Sequence, residues 1–215
     1  MAIAHTAADV GYYRVTAVKF AQRTAAKTYS TPIAISYAKS KSFTPPQADK
    51  IEQRANGTLI FNIPGEYSST GKLACAGRDY NLEAALGSYI EGTDSGRIDV
   101  APRNYVRGAI GYECEVYNSA GIPTAIRVWE YNVEINPQAE EKINGDQKNP
   151  DLGSYEYDYT GYGEILEAAG STDDYTDANG IKRVIFRRIS RYGDSDYDTF
   201  LATVATPKMP TISTP

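Results

Sequence analysis

The sequence has one histidine, two cysteines and one tryptophan in 215 residues, and no long apolar run. Each scarcity excludes something. General acid–base catalysis places a histidine or a carboxylate pair in a cleft. The lone His5, in a polar N-terminal stretch, reads instead as a surface residue. Cys75 and Cys114 make no disulfide framework, and Cys114, set in a strand pattern, reads as a small buried hydrophobe. No metal-spaced Cys/His cluster, Gly-rich phosphate loop or serine elbow is present. The expectation is therefore no enzyme, no metal and no cofactor. A membrane helix needs about 20 consecutive apolar residues, and without such a run no membrane partner is expected. The opening "MAIAHTAADVGYYRV" lacks the basic, apolar and cleavage regions of a secretory leader, which predicts folding in a reducing cytoplasm. A net charge of −5 argues against affinity built on phosphate neutralisation. It does not argue against a surface past which DNA slides.

What the chain has in quantity is tyrosine: 18, against 5 phenylalanines. A ring with a polar tip suits half-buried sheets and protein contacts alike. "GYYRVTAVKF" predicts a strand from Tyr12 to Phe20, "PIAISYAKS" one from Ile33 to Ala38, and "GTLIFNI" one from Thr58 to Ile63. Between the last two lies "SKSFTPPQADKIEQRANG", read as a long polar inter-strand loop. "PGEYSSTG" reads as a turn. In "RDYNLEAALGSYI", Asp79 or Asn81 can cap a short helix. Leu82, Ala85, Leu86 and Tyr89 then share one face, and Gly87 either ends the helix or loosens it.

"AIGYECEVY" alternates Ile110, Tyr112, Cys114 and Val116 against Gly111, Glu113 and Glu115. After the turn "NSAG", "TAIRVWEYNVEIN" sets Trp129, Tyr131, Val133 and Ile135 against Glu130, Asn132 and Glu134. Ile126 and Val128 are out of phase, so a bulge near Val128 and Trp129 is expected. The two segments predict an antiparallel hairpin with one apolar and one acidic face. "SYEYDYTGYG" alternates Tyr155, Tyr157 and Tyr159 with acids. "GIKRVIFRRISRYGD" predicts a late strand with Arg183, Arg187 and Arg191 on one face beside Ile185 and Ile189. Bracketed by Asp173, Asp174, Asp177 and by Asp194, Asp196, Asp198, these arginines suit charge pairing within or between subunits. The aspartates at alternate positions lack the glycine and glutamate of a calcium loop, and read as solvated turns. Residues 1–205 read as a single β-domain, and 206–215 as a proline-rich tail, loose or docked.

In order along nearly the whole chain, these features resemble the major tail proteins (tail-tube proteins) of long-tailed bacteriophages, especially those with non-contractile tails. The resemblance is carried by the Gly-aromatic strand "GYYRVTAVKF", the "TYSTPIAISYAKS" strand and the polar loop "PQADKIEQRANG". The short helix "LEAALGSYI" and the acidic hairpin closing on "NPQAEE" complete it. It implies a mostly β fold, an antiparallel sandwich or barrel flanked by one short α-helix. It also implies hexameric rings stacked into a hollow tube, with the long loop reaching the next ring through Phe43, Pro45, Pro46, Ile51 and Arg54. Glu113, Glu115, Glu130 and Glu134 would line the lumen and repel phosphates. Arg183, Arg187 and Arg191 would serve contacts between subunits. The implied partners are further copies of the chain and the tape-measure, tail-tip and tail-terminator proteins, with viral DNA passing unbound. The implied location is the virion tail, assembled in the host cytoplasm. The competing reading is a tyrosine-rich β-sandwich binding carbohydrate or a cell surface, with Tyr155, Tyr157 and Tyr159 stacking on sugar rings.

Overall fold

The computed structural model of the chain describes residues 9–55, 58–87, 89–92, 96–100, 105–118, 121–136, 140–142 and 154–209. The first strand, β1 (Asp9–Ala25), runs well beyond its predicted ends. Its alternation is irregular because Arg14 and Ala17 take positive φ, at 52° and 49°. Register shifts between Tyr13 and Val15 and between Thr16 and Lys19 mark bulges there. A bulge inserts one residue and resets which side chains face inward. Val15, Val18 and Phe20 thereby reach the same core.

Two short segments, β2 (Thr28–Tyr29) and β3 (Ile33–Ala34), fold back on β1. The expected strand from Ile33 to Ala38 is thus cut short at Ala34. The predicted loop is the strand β4 (Ala38–Ala55), paired with β5 (Thr58–Cys75) along a two-stranded ribbon. "PGEYSSTG" likewise lies inside β5 and is not a turn. The physical reason is that β4 is an edge strand, so its pattern carries no apolar alternation to announce it. Pro45 and Pro46 fall at the register shift between Thr44 and Gln47, one of the few places where a sheet tolerates a missing N–H.

The helix α1 (Tyr80–Ala85) is capped by Asp79, whose Oδ1 accepts from the Leu82 N–H at 2.9 Å. The other oxygen of Asp79 accepts from the Ser36 N–H at 2.6 Å, tying the cap to the segment after β3. Gly87, at φ 61°, ends the helix in the left-handed region. Leu82 and Leu86 enter the core, whereas Tyr89 begins β6 (Tyr89–Glu91), which pairs with β7 (Arg97–Asp99).

The central hairpin is β8 (Val106–Asn118) and β9 (Pro123–Ile135). β8 buries Ile110, Tyr112, Cys114 and Val116 as its alternation predicts. β9 corrects the expected bulge position. Ile126 and Val128 join that core, while Trp129 and Tyr131 turn to a second one with Ala109, Phe200 and Leu201. The phase resets at Asn132, which takes φ 48° beside a register shift opposite Ala109. Val133 and Ile135 then return to the first core.

Short β10 (Glu140–Lys142) pairs with β11 (Ser154–Gly161), and β12 (Glu164–Ile165) with β13 (Val184–Ile185). β14 (Arg187–Arg191) lies along β9, and a 3-10 turn follows at Tyr197–Thr199. The main antiparallel sheet runs β2-β1-β8-β9-β11-β5-β4. It curls: the Lys41 amine of β4 lies 4.4 Å over the Tyr112 ring of β8, four places away in that order. Among the described residues the fold is mostly β and antiparallel, with one short helix. The described start of the tail, up to Met209, lies against the fold: the Glu167 N–H donates to the Pro207 carbonyl at 2.8 Å and the Met209 N–H donates to the Glu167 carbonyl at 2.9 Å.

Candidate functional site

The residues expected to contact a neighbour divide between two parts of β4. Phe43 belongs to the foot of the strand, half-buried, with the Arg187 guanidinium 4.6 Å over its ring. Pro45 and Pro46 sit at the register shift between Thr44 and Gln47, where the pairing of β5 with β11 ends. β11 pairs with β5 only from Ser69 to Cys75, so from Gln47 to Ser68 the ribbon has no third strand among the described residues. Ile51 opposes Ile63 and Arg54 opposes Leu59 within that free part. At its base, Pro46 and Tyr67 face Ile181, Val184 and Phe186 across a groove of about 680 Å³.

The foot of β4 is fixed by a polar cluster that the sequence reading missed. The Lys41 Nζ, with its side chain 3% exposed, donates to Glu130 Oε1 at 2.6 Å and to the Tyr159 hydroxyl at 2.7 Å. Tyr112 and Tyr159 donate to the same carboxylate at 3.1 and 2.8 Å. Burial lowers the Lys41 pKa, and Glu130 opposes that shift. A carboxylate and an ammonium with all these partners are tolerated where either alone would be costly. The available signal was Lys41 itself, which shares the parity of Phe43 inside an otherwise polar strand.

This cluster corrects the acidic-face reading. Glu130 is 1% exposed and points to the first core, so it lines no surface. The reason is the phase of β9, since before the reset at Asn132 the even-numbered residues face inward. Glu113, Glu115 and Glu134 lie on other positions and are each matched by an arginine. Arg127 meets Glu113 at 2.7 Å, Arg107 meets Glu134 at 2.9 Å, and Arg14 approaches Glu115 at 3.6 Å. Arg127 also donates to the carbonyls of Tyr197 and Asp198.

The three late arginines do not share one strand face. Arg183 precedes β13, in a separate small sheet, and pairs with Asp177. Arg187 and Arg191 occupy β14, where Arg187 lies opposite Glu130 and Arg191 opposite Ile126. The Arg191 N–H donates to Asp194 at 2.8 Å. The strand breaks at Phe186, whose carbonyl accepts from the Tyr131 N–H.

The tyrosine stripe of β11 is core. Tyr155, Tyr157 and Tyr159 are at most 4% exposed, so none offers a face to a sugar ring. Their hydroxyls explain the choice of residue: Tyr157 donates to buried Glu83 at 2.8 Å, as Tyr159 does to Glu130.

No protein-family model matches this chain, and neither does any curated protein. Some solved structures match parts of this chain. One is a chain of the sheath-tube complex of an extracellular contractile injection system, PVC, in its extended state. It has 15% identity, with 67% of this chain and 83% of that chain covered, at a TM-score of 0.34. A second is from the anti-feeding prophage cap, the AFP tube-terminating cap, at 15% identity, 75% and 95% coverage and a TM-score of 0.33. A third is from the anti-feeding prophage baseplate, at 9% identity, 80% and 90% coverage and a TM-score of 0.32.

Proposed function

We propose that the chain is a structural subunit that assembles with copies of itself into a hollow tail tube, as stacked hexameric rings, of the non-contractile type its sequence resembles. The observation that carries this reading is the free β4–β5 ribbon. An isolated two-stranded ribbon is marginal in water, and its outer edges invite pairing with another chain. From Gln47 to Ala55 it reaches about 30 Å at about 3.3 Å per residue. An arm of that length is stable when a neighbour covers it, and a neighbouring ring supplies that cover.

In this reading the ribbon takes the place of the loop that the sequence resemblance assigns to contact between rings. Pro45 and Pro46 sit where the ribbon begins, at its register shift. Glu113, Glu115 and Glu134, matched by arginines, form a near-neutral surface on which passing DNA finds neither a grip nor strong repulsion. Tape-measure, tail-tip and tail-terminator proteins are the partners such a tube requires, and the virion tail its location.

Negative-stain electron microscopy of the concentrated protein tests the proposal. Rings or tubes of constant diameter with a central hole are expected. A protein that stays monomeric at high concentration, even with a tail-tip seed present, would refute it.

A further inference from the structure

We propose that the groove between β1 and the foot of β4 receives an acidic side chain from a second copy of this chain. The inference rests on the self-assembly proposed above and locates one of its contacts. The groove has a volume of about 330 Å³, and Arg14, Lys39, Lys41 and Arg187 line it with no Asp or Glu among the described residues. That is unusual on a chain whose net charge is −5.

The Arg187 guanidinium is half-buried and stacks on Phe43 at 4.6 Å. The Cα of Glu130 is opposite in register, yet that carboxylate is taken by Lys41, Tyr112 and Tyr159. Among the described residues Arg187 has no carboxylate within ion-pair distance. A planar fork of donors left without a carboxylate is a receptor for one. The rim adds exposed Tyr12 and Tyr13, at 60% and 64%, which are suited to anchor an interface.

The same chain carries the complementary charges elsewhere. Among the described residues the exposed Asp173 carboxylate is held only by the Ser171 hydroxyl, and the exposed Asp198 carboxylate has no ion-pair partner. An arginine without a carboxylate, Arg187, and exposed carboxylates without a cation lie on different parts of one molecule and suit a heterologous contact. Such contacts close into rings or extend into filaments. Charge complementarity of this kind sets partner choice and register. The free outer edge of β4 beside the groove offers backbone groups to the incoming chain as well.

Sedimentation velocity of wild type, R187E and the charge-swapped R187E/D173R/D198R tests the inference. Circular dichroism confirms the fold of each. Self-association is expected to weaken at least tenfold in R187E and to recover in the swapped variant. If R187E does not fold, R14E/K39E on the exposed rim is expected to weaken association in the same way. Wild type that assembles while R187E, or failing that R14E/K39E, assembles equally well overturns the inference and leaves the tube reading standing. Wild type that never assembles overturns both. A poly-glutamate peptide that binds the groove while assembly is unaffected by R187E shows a different acidic partner, and overturns the second copy as occupant.

Discussion

The Lys41 ammonium sits 2.6 Å from the Glu130 carboxylate, and both side chains are almost fully buried. The pair joins an edge strand to a central one, across the curl of the sheet and below the point where the ribbon departs. Replacing one partner strands the other charge without water. Lys41→Met should therefore cost about 3–5 kcal/mol. The double variant Lys41→Met/Glu130→Leu should recover most of that loss. Urea unfolding of the three proteins measures it, and additive losses in the double variant would contradict the pairing.

Alkaline pH should destabilise the protein. Burial raises the phenols of Tyr29, Tyr112, Tyr131, Tyr157 and Tyr159 above their ordinary 10.0, and lifts the Cys75 thiol from 9.0 to about 12. Below the unfolded values all these groups are protonated in both states, and their stabilisation is complete. Above them the unfolded chain releases protons that the folded chain holds, so stability falls as pH rises. Lys41, lowered by burial, acts in the opposite direction but is one group against six. The urea midpoint should drop between about pH 8 and about pH 10.5. A constant midpoint would show that these phenols titrate freely.

Gly111 gives a steric test of the hairpin. A Cβ there would lie 2.6 Å from the Trp129 ring on the paired strand. Gly111→Ala should cost about 1–3 kcal/mol, since a packed indole has little room to retreat. Gly77, with no atom in the way, is the control site. Thermal melts of Gly111→Ala and Gly77→Ala compare the two.

The turn after β14 should be reported by the single tryptophan. Trp129 Nε1 donates to the Phe200 carbonyl at 2.7 Å, and the Phe200 side chain packs in the same cluster. Phe200→Ala should cost about 3–5 kcal/mol and shift Trp129 fluorescence to the red. An unchanged spectrum would mean that the turn is not docked on the sheet.

Excising Gln47–Ser68 and closing the strands with Asn-Gly should leave a folded protein, because the cut lies beyond the Thr44–Thr70 pair and leaves the pairing of β5 with β11 intact. Assembly should be lost. Tubes formed without the ribbon would remove it from the contact between rings.

The sequence by itself determined the elements whose burial follows a simple period. The alternation of β8 placed Ile110, Tyr112, Cys114 and Val116 correctly, and the helix was announced by its cap, its apolar face and Gly87. These are local effects, readable because each residue's environment repeats along its own strand or turn. Tertiary structure decided the rest. An edge ribbon such as β4 gains its strand geometry from its partner β5 and has no apolar code of its own. The side that Glu130 faces depends on where the phase of β9 resets, and Asn132 sets that by a backbone angle no periodicity reveals. Lys41 meets Glu130 only because the sheet curls, which brings together residues 89 positions apart in sequence. Arg187 belongs to the same case: its sequence neighbours predicted a charged strand, and the groove that it lines beside Phe43 exists only in the folded chain.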